Sequence, residues 1–207
     1  MNGQMRGFYK VAEWVLNIAY LNILWIAFTL VGIVIFGLFP ATTSMFTVIR
    51  KWVLGKRDIP IFQTFWSTYK KEIIKSNILG LIVIAVGGLL YLDFSYVSEQ
   101  EGFFIQLTYY PLIILIVIYI LSLLYVFPVY VHYDTKLIHV LKNSVLLMIM
   151  SPFITIMLMT GLVFVYFIME FLPGLTPFFA ASLFSYIIMW SCNFAFNKVS
   201  RFQKVNQ

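Results

Sequence analysis

The segment WVLNIAYLNILWIAFTLVGIVIFGLFPATTSMFTVI, from Trp14 to Ile49, runs 36 residues without an Asp, Glu, Lys or Arg, and Arg50 and Lys51 follow at once. A soluble fold would have to bury all of it. A membrane-crossing helix needs about 20 apolar residues to traverse about 30 Å of hydrocarbon. Further uncharged runs occupy 76–92, 102–133, 143–169 and 171–197. Only 11% of the chain is charged, against about a quarter in a soluble domain, so its solvent is lipid. Lipid offers no partner to backbone N–H and C=O groups, which leaves helices or closed barrels. A barrel would show short alternating strands, whereas these runs are continuous. The reading is an all-α, polytopic transmembrane helical bundle, with residues 1–207 forming a single integral membrane domain. No short apolar core with a small-residue cleavage site opens the chain, so the first span is expected to be its own insertion signal.

Thirty-six residues are too many for one span, even a tilted one. Gly32, Gly37 and Pro40 supply a turn near the middle. This gives a hairpin with helices near 11–31 and 40–54, the second either a full span or a re-entrant half. Four spans follow, near 76–97, 106–131, 144–169 and 176–196, making six crossings or half-crossings. Lys and Arg favour the cytoplasmic side. In this topology all 14 of them fall on one side, while Asp93, Glu99, Glu101 and Glu170 fall on the other. Both termini are then cytoplasmic. The alternative has five spans, with 14–39 as one long tilted helix, and leaves Arg6 and Lys10 outside. Pro40, Pro111 and Pro177 stand where descending helices begin, a position at which the missing N–H of proline costs nothing. KSNIL at 75–79 and KNSVL at 142–146 are similar junctions, with Asn77 and Asn143 expected as helix caps.

Residues 50–75 form a basic, aromatic cytoplasmic loop followed by a helix. In PIFQTFWSTYKKEIIK, Phe62, Phe65, Trp66, Tyr69 and Ile73 make one stripe, and Lys70 and Lys71 face elsewhere. Such a helix is expected to lie in the membrane interface, rings in the lipid and lysines toward anionic headgroups. The same face could dock a partner, and the candidate surface is Arg50, Lys51, Trp52, Phe62, Phe65, Trp66, Tyr69 and Lys70.

Chemistry-bearing motifs are absent from the sequence: no P-loop, no H-E-x-x-H, no G-x-S-x-G. His132, Asp134 and His139 fall in HYDTKLIH, where the histidines share a helix face and the aspartate points away. Zinc needs three or four converging ligands, so this reads as a solvated loop. The expectation is no catalytic residue, no metal and no cofactor. One cysteine, Cys192, rules out an intrachain disulfide and reads as a packing residue. The net charge of +6 is explained by sidedness and does not call for nucleic acid. No predicted hydrocarbon centre carries a charge. Asn22, Thr42 and Thr43 form the candidate intramembrane polar cluster, since they could meet across the hairpin as interhelical hydrogen bonds.

LNILWIAFTL, FPATTSMFTVIRKWVLGKRDIPIFQTFW and YKKEIIKSNILG together resemble the N-terminal half of the YesL-like family of bacterial integral membrane proteins. The likeness is dense over about 10–95 and looser beyond. It carries over no catalytic residues. It implies a multi-pass protein of the bacterial cytoplasmic (inner) membrane with a role beside carbohydrate uptake. The chain lacks the E-A-A…G loop by which ABC importer permeases engage their ATPase. The expected function is therefore a non-enzymatic accessory protein of an oligosaccharide uptake system. Its partners would be the lipid bilayer and either ABC sugar-transporter subunits or a membrane sensor. The alternative is a small transporter or channel for an uncharged solute, working as a homo-oligomer.

Overall fold

A computed structural model describes residues 3–99 and 102–205, and the side chains of 9–99 and 107–200 among them. Glu101 lies outside the described residues, as do the side chains of Arg6, Arg201 and Lys204. The elements are α1 (Gly3–Val31), α2 (Leu38–Val53), α3 (Ile61–Glu99), α4 (Phe103–His132), α5 (Leu137–Met150), α6 (Pro152–Phe171), a 3-10 turn (Pro173–Leu175) and α7 (Thr176–Val205). The described residues contain helices and no strand. Five segments are long and apolar enough to cross a membrane: Tyr9–Val31, Ile61–Glu99, Leu107–His132, Pro152–Phe171 and Pro173–Ser200. This is a helical membrane bundle.

The helix boundaries differ from the sequence reading in three places. The amphipathic segment 60–75 and the span 76–97 are one continuous helix, α3, of 39 residues. At 1.5 Å per residue it is about 58 Å long, nearly twice the hydrocarbon thickness. Nothing between Lys75 and Ser76 breaks it. The expected span 144–169 is instead split. α5 stops at Met150, and α6 begins at Pro152 after a non-helical Ser151, with φ −132° and ψ 55°. The residue before a proline disfavours the helical region, and Ser151 obeys that rule. α5 has 14 residues, about 21 Å, too short to cross. Its start adjoins Lys136, and the Met150 carbonyl accepts a hydrogen bond from Lys198 Nζ at 3.4 Å. It therefore runs along one end of the bundle. Third, Pro111 sits inside α4, as does Pro128, while Pro40 and Pro177 do lie in first turns.

The two ends of the bundle differ in charge. Lys75 and Asp93 are about 27 Å apart along α3. Arg50 and Lys51 end α2, Lys136 precedes α5 and Lys198 lies near the end of α7, all at the basic end. Glu170 closes α6 at the other.

Small residues set the packing. Lipid tails are as apolar as leucine, so helices associate in membranes by close approach at small side chains. Ala41 and Ser44 on α2, Ser76 on α3, Ser144 on α5 and Cys192 and Ala195 on α7 are all buried. Gly80 admits the ring of Phe39, and a Cβ there would overlap it. The buried hydroxyls return to their own helices: Ser44 donates to the Pro40 carbonyl at 2.8 Å, Ser76 to that of Glu72 and Ser144 to that of Val140. Each is thus satisfied without solvent. Between α4 and α6 a buried pair, Tyr125 Oη and Thr155 Oγ1, lies at 2.8 Å.

Candidate functional site

α1 and α2 form a helical hairpin. α2 has 16 residues, about 24 Å, short of a full crossing. Its tip, residues 32–37, turns beside the middle of α3. Val31, Ile33, Ile35 and Phe36 project outward at the tip. Such surface within a 36-residue uncharged run faces lipid. A non-helical turn in lipid must satisfy its own backbone, and this one does so for the N–H groups of residues 32–36. The Phe28 carbonyl accepts from Gly32 N and from Tyr69 Oη, the Thr29 carbonyl from Val34 N and the Leu30 carbonyl from Ile33 N. Asn77 Nδ2 donates to the Phe36 carbonyl at 3.0 Å and to that of Ile73 at 2.6 Å. Asn77 is therefore no helix cap. It lies in the middle of α3 and binds the tip. Asn143, likewise, lies inside α5. Gly32 and Gly37 meet so closely that a Cβ on either would strike backbone. Ile33 and Val34 adopt φ of 55° and 58°, a left-handed geometry costing about 1–2 kcal/mol per residue.

The three residues of the expected polar cluster do not converge. Asn22, 1% exposed, faces α7: its Nδ2 donates to the Pro177 carbonyl at 2.7 Å and its Oδ1 accepts from Ser182 N at 2.9 Å. Thr42 accepts from Trp25 Nε1 at 3.0 Å and donates to the Leu38 carbonyl. Thr43, one residue on, points about 100° away from Thr42 on the helix. Its buried hydroxyl has no hydrogen-bond partner and lines a cavity.

The expected docking surface is also divided. Phe65 and Tyr69 are buried, and Phe28 of α1 packs against them and against Phe62 and Trp66, with ring centroids 5.1–6.4 Å apart. The aromatic stripe thus covers the end of α1 rather than lying wholly in lipid. Trp52 is buried too, and Arg50 turns inward, while Lys51 reaches Thr64 at 3.5 Å. What stays outside is Phe62, Trp66 and Lys70, with the Lys70 ammonium 4.8 Å from the Trp66 ring centroid.

The cavity at the basic end was not visible in the sequence. It measures about 950 Å³, opens to solvent and is built from α2, α3 and the α4–α5 link. Arg50, Lys71, Lys75 and Lys136 line it, with Glu72 and Asp134 as the only acids, for a balance of four cations to two anions. Thr43, Thr47, Ser67 and Thr68 add hydroxyls. Glu72 is already engaged: Tyr130 Oη donates to it at 2.6 Å and Lys71 Nζ lies 3.8 Å away. That is the single ion pair among the described residues. Arg50 Nε donates to His132 Nδ1 at 3.4 Å. His132 is fixed in turn by Phe196 of α7, stacked on it with centroids 4.0 Å apart. The 133–136 link is a solvated loop, exposed at residues 134–136, that also walls the cavity, and His139 does not line the cavity beside His132. No group of three metal-ligating side chains occurs among the described residues.

A helical bundle with a lipid-embedded hairpin and a basic cavity at one end defines the class as a polytopic integral membrane protein. The family described as "Protein of unknown function, DUF624" matches residues 18–94, the stretch running from the second half of α1 through α2 and most of α3 and holding three of the cavity's four cations. The chain is 38% identical over 190 residues to "Uncharacterized protein YesV" of Bacillus subtilis (strain 168), covering 92% of this chain and 91% of that one. It is 35% identical over 188 residues to "Uncharacterized protein YteU" of the same organism, covering 91% and 84%. To "Uncharacterized protein YesL" it is 37% identical over 187 residues, covering 88% and 86%. The chain belongs to this family. No solved structure matches it.

Proposed function

We propose that the protein is a non-enzymatic accessory protein of a bacterial carbohydrate uptake system, binding a transporter or sensor through its basic end. The positive-inside rule puts that end in the cytoplasm. The observation that carries the reading is the exposed trio Phe62, Trp66 and Lys70 on the opening turns of α3. Their neighbours on the same stripe are locked into the core, so the trio is presented on a rigid helix. An exposed tryptophan on a rigid helix is the kind of anchor interfaces favour, and the Lys70 ammonium lies over its ring. The carbohydrate context rests on the family resemblance. The test is Trp66→Ala combined with Lys70→Glu, with gentle-detergent purification from native membranes. A partner that co-purifies with the parent protein and is lost from the inserted variant supports docking there. Unchanged co-purification rejects it.

The α1–α2 hairpin favours a second reading, a small oligomeric transporter for an uncharged solute, because interrupted helices line many transport sites. Flux of sugars into liposomes holding the purified protein alone would establish that reading over the first.

A further inference from the structure

We propose that the cavity at the basic end is a binding site for a phosphate-bearing ligand, with Arg50 as its principal partner and the Thr43 hydroxyl as a buried donor. The inference goes beyond the accessory role and does not depend on which protein docks outside.

Two independent observations support it. The first is an unmatched cation. Arg50 is half-buried, with Nε on His132 and no carboxylate partner. Nδ1 of His132 must accept this bond, because a guanidinium carries donors only. The Phe196–His132 stack therefore aims the arginine while leaving its terminal fork unengaged. That fork matches the oxygens of a phosphate or carboxylate, and a partly desolvated charge without a counter-ion is costly. The second observation is Thr43. The residue is 1% exposed and borders the same space, and its buried hydroxyl has no partner. A buried polar atom left unpaired loses about 1–3 kcal/mol, which a ligand oxygen would restore.

The chemical class follows from number and reach. Lys75 and Lys136 also line the space and make no ion pair. Cations thus come from α2, α3 and the α4–α5 link. A carboxylate has two oxygens for such an array, whereas a phosphate has three or four to share among them. A volume of about 950 Å³ admits the group together with the rest of a small molecule or a lipid headgroup.

The experiment uses the full chain, delipidated in a neutral maltoside detergent. Calorimetric titration is run with glycerol 3-phosphate and, separately, with micelles containing phosphatidylglycerol. Binding of glycerol 3-phosphate identifies a soluble phosphate monoester as the source. Binding of the lipid alone identifies a headgroup. In either case Arg50→Gln should weaken binding by about tenfold or more. Thr43→Val should weaken it while leaving the melting temperature unchanged or raised, since only an unpaired hydroxyl is removed. Lys70→Gln, outside the cavity, should change it by less than about twofold, because exposed charges are screened. Absence of binding to the folded parent protein would overturn the proposal, as would equal weakening by Arg50→Gln and Lys70→Gln. Neither result would touch the docking test at Trp66.

Discussion

Asn22 separates a structural role from a ligand-binding one most cleanly. Replacing it by Leu keeps the volume and removes both bonds to α7, those to the Pro177 carbonyl and from Ser182 N. Hydrogen bonds between transmembrane helices average about 0.6 kcal/mol and reach about 1.7 kcal/mol. Two of them bound the loss between about 1 and 3 kcal/mol. The lower half of that range is expected, for a physical reason. Within α7 the i→i−4 ladder still offers Ser182 N–H the carbonyl four residues back, so no backbone group is orphaned. Asn22→Leu should therefore destabilise the protein by about 1–2 kcal/mol in reversible unfolding by sodium dodecyl sulfate in mixed micelles. Ligand binding at the basic cavity should be unchanged. A variant as stable as the parent would refute the account of Asn22 as the clasp between α1 and α7. So would one that loses cavity binding while keeping its stability.

Gly32→Ala places a methyl group onto the Cα of Gly37; the overpacking should cost at least about 1–3 kcal/mol and lower the monodisperse fraction on size exclusion. A double-mutant cycle of Tyr125→Phe with Thr155→Val should report a coupling of about 0.6 kcal/mol, and no more than ~1.7 kcal/mol, for the buried 2.8 Å pair; zero coupling would mean that the α4–α6 contact rests on shape alone.

The class of fold and much of the hairpin could be read from the sequence because uncharged length and turn residues are local signals. Gly32 and Gly37 marked the turn, and Pro40 lies in the first turn of α2. The break at Ser151–Pro152 was also present in the sequence, but the uncharged run from Asn143 to Met169 concealed it. Lipid and helix surfaces ask for the same residues, so the stripe through Phe62, Phe65, Trp66 and Tyr69 announced an apolar face without naming its neighbour. That neighbour is Phe28, on a different helix. In the sequence Asn22, Thr42 and Thr43 are linked only by polarity and proximity in the chain. Helical phase sends them to α7, to Trp25 and to the cavity respectively. The cavity draws its walls from residues 43–50, 67–75 and 130–137, and only tertiary packing brings those stretches together.

In the proposed orientation this basic cavity opens to the cytoplasm. Sidedness can be measured with single cysteines in a Cys192→Ala background, using a membrane-impermeant thiol reagent on sealed vesicles. Lys136→Cys, at the cavity rim, should react in inverted vesicles and not in right-side-out ones, and Glu99→Cys should do the reverse. Labelling of position 136 from the outside would contradict the account.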